Sequence, residues 1–220
     1  MNTTSSLNYA PNASSAHRSN LLEVHRLKQD EMSEASRVLS EAFEGYPVAN
    51  YMFEGFLEQG PERFRVMFEY LINSRIVRNW PVFGCRLGGE LVGVAVVSEP
   101  GEEWSTPELD AQWERATKAM GKRAMDRFLE YADACDAGLP DWPHHYLGIL
   151  GVKPEYQGIG CGSSLVEAVK SDALLHDQSR GVCLNTETTI NLPFYRRHGF
   201  KTIDSRDVGS IHTWCMTLKW

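Results

Sequence analysis

One stretch constrains this chain more than any other. An apolar run, Tyr146–Leu147–Gly148–Ile149–Leu150–Gly151–Val152, stops before Pro154 and leads through Gln157–Gly158–Ile159–Gly160–Cys161–Gly162 into a helical pattern. The run has the length and composition of a strand, and the proline ends it. A strand that feeds a glycine loop at a helix start is an anion cradle. Without Cβ atoms the backbone can approach a phosphate closely, and the first amides of the helix point at it. The chain is therefore expected to hold a phosphate-bearing ligand here.

Spacing separates the kinds of phosphate loop. An NTPase loop needs a Gly-Lys-Ser/Thr ending, whereas Gly162 is followed by Ser163 and Ser164. A dinucleotide fingerprint needs its first glycine directly after the strand, but Lys153 to Gln157 intervene here, and its third where Ser163 stands. A plain strand-to-helix turn would also use such glycines. The order Val152-x-Pro154-x-x-Gln157-Gly158-x-Gly160-x-Gly162 resembles the acetyl-CoA motif of the GNAT superfamily of N-acetyltransferases, in which Arg or Gln opens the loop. That resemblance implies acetyl-CoA as cosubstrate. It also implies cofactor contacts from Leu150, Gly151 and Val152 and from Gln157, Gly158, Ile159, Gly160, Cys161, Gly162 and Ser163.

A second match lies about thirty residues downstream, at Asn191–Leu192–Pro193–Phe194–Tyr195–Arg196–Arg197–His198–Gly199–Phe200. It resembles the superfamily's N-x-x-x-Y-x-x-x-G-F signature, which implies a cofactor contact for Asn191 and a general-acid role for Tyr195. Taken alone, Tyr195 reads as a half-buried aromatic; paired with the glycine loop it reads as catalytic. Leu184–Asn185–Thr186 and the closing Thr213–Trp214–Cys215–Met216–Thr217 resemble puromycin N-acetyltransferase and its relatives. Those relatives carry an acidic residue where this chain has Asn185. Glu187, two residues on and thus on the same strand face, is the carboxylate available to take a proton from an amine. His144, His145 and a water chain are the other options; adjacent strand histidines point to opposite faces, so at most one serves.

Composition restricts the partners. A formal net charge of -7 argues against a nucleic-acid groove and mildly favours a cationic, amine-bearing substrate. The five cysteines, Cys85, Cys135, Cys161, Cys183 and Cys215, are scattered, odd in number and without metal-ligand spacing, so neither a disulfide framework nor a metal site is expected. A reducing, cytoplasmic location fits. Residues 1–20 are rich in Ser, Asn, Thr and Ala and are expected to form a disordered tail. Asn2 and Asn12 sit in glycosylation triplets, but no apolar signal core precedes Leu21 and no segment reaches a membrane span of roughly 18 apolar residues.

Periodicity supplies the rest of residues 21–220, read as one domain. Leu22 to Leu27 alternates as a strand, and Asp30 is placed to cap a helix running to about Phe43. A bent helical segment follows from Pro47 to Phe56, then a helix from Glu62 to Arg78. Val82–Arg86 and Leu91–Val97 flank Gly88–Gly89, a pair suited to a tight hairpin. Between Pro100 and Pro143, Leu109, Trp113, Ala116 and Met120 form one stripe, and Met125, Phe128, Leu129 and Ala132 a second, with Gly121 as the break. This helical hairpin, residues 101–143, is inserted between strands three and four. It is placed to wall the acceptor pocket, with Trp113 and Trp142 as candidate lining groups, although anchoring the hairpin to the core is the simpler role for both.

The expected order is β-α-α-β-β-(αα)-β-α-β-α-β-β: an α/β fold with a mixed, mostly antiparallel sheet flanked by helices. The expected activity is acetyl transfer to a primary amine, of a small molecule first and of a protein or peptide second. A non-catalytic acetyl-CoA-binding module is the reading from another class, and the presence of Tyr195 weighs against it. The oligomeric state is left open, with a homodimer among the options.

Overall fold

The computed structural model describes residues 22–55 and 60–220. The expected tail and the last residue of the bent helical segment, Phe56, lie outside the described residues. Among the described residues, seven strands form one sheet in the order β1-β2-β3-β4-β5-β7-β6. They are β1 (Leu22–Arg26), β2 (Val82–Leu87), β3 (Glu90–Ser98), β4 (His145–Val152), β5 (Gly181–Thr186), β6 (Lys201–Val208) and β7 (Ile211–Lys219). The β4–β5 pair is parallel and every other pairing is antiparallel. The mixed, mostly antiparallel architecture expected from the sequence is the one observed.

The helices are α1 (Met32–Ala42), α2 (Pro47–Met52), α3 (Gly60–Val77), α4 (Pro107–Met120), α5 (Lys122–Asp136), α6 (Cys161–Leu175) and α7 (Asn191–Arg197). Three helices, rather than two, therefore separate β1 from β2, because α2 forms a short turn of its own with Pro47 in its first turn. Asp30 does not cap α1. It lies inside a 3₁₀ turn, Gln29–Glu31, and Glu31 reaches back to the Lys28 N–H at 3.1 Å instead. The β2–β3 turn places Gly88 and Gly89 at φ +58 and +87, as a two-residue hairpin of this kind requires.

The inserted hairpin follows its sequence signals. The Thr106 hydroxyl accepts from the Leu109 N–H at 3.2 Å, Pro107 takes the first helical position, and Gly121 at φ +80 breaks α4 from α5. The second stripe is corrected by the structure. Leu129 is exposed, whereas Met125 and Cys135 are buried and Phe128 and Tyr131 pack inward.

Two apolar cores lie on opposite faces of the sheet. One joins α1 to α5 with Val94 and Val96 of β3; the other joins α6 and α7 with Ala95 and Val97. Alternate residues of one strand thus serve the two cores, as the period-2 geometry of a doubly covered strand dictates. The five cysteines are free and buried. No helix among the described residues is long and apolar enough to cross a membrane.

Candidate active site

The site begins with a parting of strands. β4 pairs with β3 up to Val152, but with β5 only at His145–Val182, Tyr146–Cys183 and Leu147–Leu184. Beyond Leu147 its β5 side is open. The β3 register shifts at the same point: Val96 opposes Ile149 and Val97 opposes Leu147, leaving Gly148 as the extra residue of a bulge. The Lys153 N–H donates to the Val92 carbonyl at 2.9 Å. Because backbone groups alternate sides along a strand, Leu150 and Val152 turn theirs into the opening. The Gln157 side-chain amide donates to the Val152 carbonyl at 3.2 Å, so Gln157 clips the loop onto the strand.

The glycine loop lies at the end of that opening. Gly158 and Gly160 adopt φ +76 and +101, a region that side-chain-bearing residues rarely enter, and no atom lies within 4 Å of a Cβ built on Gly158. Among the described residues, the amides from Gly158 to Ser163 donate to no backbone carbonyl; the first helical bond runs from Ser164 N–H to Gly160 C=O at 2.9 Å. These donors at the head of the 15-residue helix α6 fit a diphosphate. Cys161 contributes only its backbone, since its side chain is buried and a Cβ on Gly93 would meet its Sγ at 2.6 Å. The Ser163 hydroxyl is held by His198 Nε2 at 3.1 Å, and Gly162 packs near Phe194. Ile159 is half-buried in the same loop.

A cavity of about 940 Å³ opens against the parted strands. Leu150, Gly151, Val152, Gln157, Asn191, Tyr195 and Glu187 all line it, whereas Gly158 to Ser163 stand outside its wall. The far wall comes from α3 through Phe64, Phe68, Leu71 and Arg75, from α5 through Phe128, Tyr131 and Asp136, and from Trp142 to His144. The second helix of the insertion therefore does line the cavity, and so does Trp142. Trp113 does not; its ring packs on Tyr70 with centroids 5.0 Å apart, in the core.

Glu187 is 9% exposed and heavily hydrogen-bonded. Tyr131 donates to its Oε1 at 2.7 Å and Thr213 to the same oxygen at 2.9 Å. Behind Thr213 stands Asn185, whose Nδ2 donates to Thr213 Oγ1 at 3.2 Å while its Oδ1 accepts from Tyr146 at 3.2 Å. Asn185 thus serves as a link that orients a carboxylate two residues away. Burial pushes the Glu187 carboxyl above its ordinary value, and the bonds from Tyr131 and Thr213 partly oppose that shift.

The Tyr195 hydroxyl has no hydrogen-bond partner among the described residues, although its ring is 6% exposed and packs edge-on against Phe194 and Phe200. Burial pushes it above the usual phenol range, with the Tyr46 hydroxyl and the Glu187 charge acting in the same direction. It is a protonated donor at neutral pH. Asn191 Nδ2 donates to Thr186 Oγ1 at 3.0 Å and lies 3.5 Å from the Tyr46 hydroxyl, which accepts the Glu187 N–H at 3.2 Å.

The two histidines point apart, as strand parity requires. His144 lines the cavity, with its value lowered chiefly by burial, while His145 is fully buried among Ser179, Asp172 and His176. His145 is therefore excluded as a base in this cavity. Tyr46, Arg75, Tyr131 and Thr213 are site residues that pattern reading missed. Tyr131 alone left a trace, at three residues from Phe128 and four from Cys135. Arg75 donates to Ser98 Oγ at 3.0 Å and to Ser74 Oγ at 2.9 Å at the cavity edge.

A parted β4–β5 pair, an amide-rich glycine loop and a tyrosine thus stand together at one opening of the sheet. Residues 121–202 match the family model for the acetyltransferase (GNAT) domain. That match spans the second inserted helix, the β4–loop–α6 unit and α7, and acetyltransferases of the GNAT domain family use acetyl-CoA as cosubstrate. The fold of the chain is shared with a histone acetyltransferase HPA2 and related acetyltransferase from Corynebacterium glutamicum, at TM-score 0.62 and 23% identity over 89% of this chain and 94% of that one. It is shared equally with a Drosophila melanogaster polyamine N-acetyltransferase, at TM-score 0.64 and 17% identity over 90% and 100%. A Thermoplasma acidophilum paia N-acetyltransferase in complex with coenzyme A matches at TM-score 0.54 and 17% identity over 90% and 99%.

Proposed function

We propose that this protein transfers the acetyl group of acetyl-CoA to a primary amine of a small molecule, with Tyr195 as general acid. The observation that carries the reading is the single cavity shared by the Leu150–Val152 strand edge, the unpartnered Tyr195 hydroxyl and the buried Glu187. Acetyl-CoA supplies an activated acyl group and a sulfur leaving group. Its phosphates are assigned to the amides of Gly158 to Ser163, and its chain to the open edge of β4.

The outward-facing backbone N–H at Leu150 or Val152 is positioned to donate to the thioester oxygen. Tyr195 gives its proton to the sulfur as the C–S bond breaks and the C–N bond forms. Glu187 takes the amine's proton, directly or through cavity water. The carboxyl's raised value suits it to that exchange, and the Tyr131 and Thr213 bonds hold its orientation. Glu99, Glu103, Asp136 and Asp141 also line the cavity, against Arg75 and His144, so the space favours a cationic guest.

The depth of the cavity favours a small molecule over a peptide, because α5 and the Trp142–His144 segment line its far side. The test is incubation with acetyl-CoA and panels of small amines and of peptides, following thiol release. Faster release with small amines supports the reading; peptides alone as acceptors favour the protein-modifying one, and no release with any amine makes the protein a binding module.

A further inference from the structure

At the edge of the acetyl-transfer cavity, the end of β3, the start of β4 and α6 bring together a side-chain cluster that takes no part in the proposed proton transfers. Glu99, His145 and Asp172 each present one ligand atom within 4.8 Å of the others. His145 is fully buried, and its Nε2 is buried without any hydrogen-bond partner. An orphaned ring nitrogen in a core is unfavourable unless something occupies its lone pair.

Its other nitrogen decides which lone pair that is. His145 Nδ1 lies 3.0 Å from Ser179 Oγ, and the Ser179 hydroxyl spends its only proton on the Gly181 carbonyl, also at 3.0 Å. Ser179 must then accept, so His145 carries its proton on Nδ1. With the Nδ1 proton given to Ser179, Nε2 is the nitrogen left to meet a cation, whether a proton or a metal ion, and it faces Asp172 Oδ2 at 3.4 Å. Two lone pairs set against each other repel unless a cation lies between them.

The distances favour a metal ion over a shared proton. At 3.4 Å the His145–Asp172 pair is longer than an ordinary hydrogen bond. It is close to the edge of roughly 3.3–3.5 Å that separates two ligands bound tetrahedrally at about 2.0–2.1 Å. His176 stands beside the cluster, with Nε2 3.6 Å from Glu99 Oε2 and Nδ1 buried without a partner. Arg26 lies 3.7 Å from the other Glu99 oxygen, on the outer side. The Asp172 and Glu99 side chains are 25% and 20% exposed, which gives an ion an entry path.

We propose that Glu99, His145 and Asp172 bind a divalent transition-metal ion, with His176 or water in the fourth position and Ser179 fixing the His145 tautomer. One neutral imidazole and two carboxylates form a hard-to-borderline donor set of net charge -2, suited to zinc. The Ser179–His145 bond is the outer-shell contact that metal-bound histidines use. The ion would tie the end of β3 to β4 and α6, and Glu99 also lines the acceptor cavity.

The test is zinc titration of the metal-stripped full chain, read by calorimetry and by metal content after gel filtration, with cobalt(II) absorption as a geometric signature. The wild-type chain is expected to retain about one equivalent, to gain thermal stability with zinc, and to give the intense visible bands of a tetrahedral cobalt site. Asp172→Asn, which changes a partly exposed side chain, is expected to lose all three responses, as is His145→Gln. Absence of stoichiometric zinc in the wild-type chain, or its retention in Asp172→Asn, overturns the proposal. The first of these results would leave a proton shared between His145 and Asp172.

Discussion

The two faces of the sheet solve different problems. The face carrying α6 and α7 presents backbone: amides of a glycine loop, an open strand edge and a helix start, all between Tyr146 and Phe200. The face carrying α1 to α5 presents side chains, Tyr46, Arg75, Tyr131 and Asp136, gathered from three separate elements or loops. A shared cosubstrate can be held by conformation. An acceptor is selected by chemistry that each chain composes for itself. Glu187 and Tyr195 stand where the two faces meet.

That division predicts which parameters each substitution moves. Tyr195→Phe keeps the ring in its aromatic packing and removes only the hydroxyl. It should lower kcat about 10²-fold, the low end for general-acid catalysis, with coenzyme A affinity unchanged in calorimetry. Loss of cofactor affinity would place Tyr195 on the cofactor side of the comparison instead.

Glu187→Gln should lower kcat about 10-fold, less than the loss of a committed base, because cavity water can still take the proton. The rising limb of the pH–rate profile should disappear with it. A limb that persists in Glu187→Gln belongs to the amine substrate.

Thr213→Val removes one donor to the Glu187 carboxylate and should lower kcat/KM a few-fold, or about 0.5–1.5 kcal/mol. Since that bond favours the charged carboxylate, its loss should move the rising limb to higher pH. A shift to lower pH would break the assignment.

The smallest effect is on stability. Burial raises the Glu187 value above that of the unfolded chain, so the folded protein holds this proton more tightly. The associated stabilisation is fully present below the unfolded carboxylate value and is lost as pH rises through the folded one. Melting curves of wild-type and Glu187→Gln proteins should therefore differ in slope over that window, and parallel curves would show that the group titrates normally.

The same comparison explains what could be read from the chain. The β4–loop–α6 unit was legible because its determinants are local: a strand run, a proline, glycines at fixed offsets and a helix pattern. Glu187 was legible by strand parity from Asn185. Gly151, a cofactor contact by resemblance, lines the cavity. Its lack of a side chain has a further cause, since a Cβ there would meet Leu39 Cδ2 at 2.8 Å and Ala42 Cβ at 3.0 Å where α1 crosses β4.

The acceptor face resisted because its residues carry conflicting signals. Leu129 outranks Tyr131 in hydropathy, yet Leu129 faces solvent and Tyr131 turns inward to donate to a buried carboxylate. Trp113 and Trp142 look alike in sequence, and only tertiary packing separates the core residue from the lining one. The metal-ligand cluster left no motif at all. Its three members come from positions 99, 145 and 172 and meet only because β3, β4 and α6 adjoin.

The claim that backbone on one face holds the cosubstrate while side chains on the other serve the acceptor is tested most directly by coenzyme A affinity in two variants. Gly160→Asp adds a side chain at φ +101 and a negative charge beside the amide cradle, whereas Tyr131→Phe removes a single hydroxyl from the acceptor wall. Calorimetry should show affinity falling about 10-fold or more in Gly160→Asp and holding at the wild-type value in Tyr131→Phe. Wild-type affinity in a Gly160→Asp protein that melts like the parent would contradict the account.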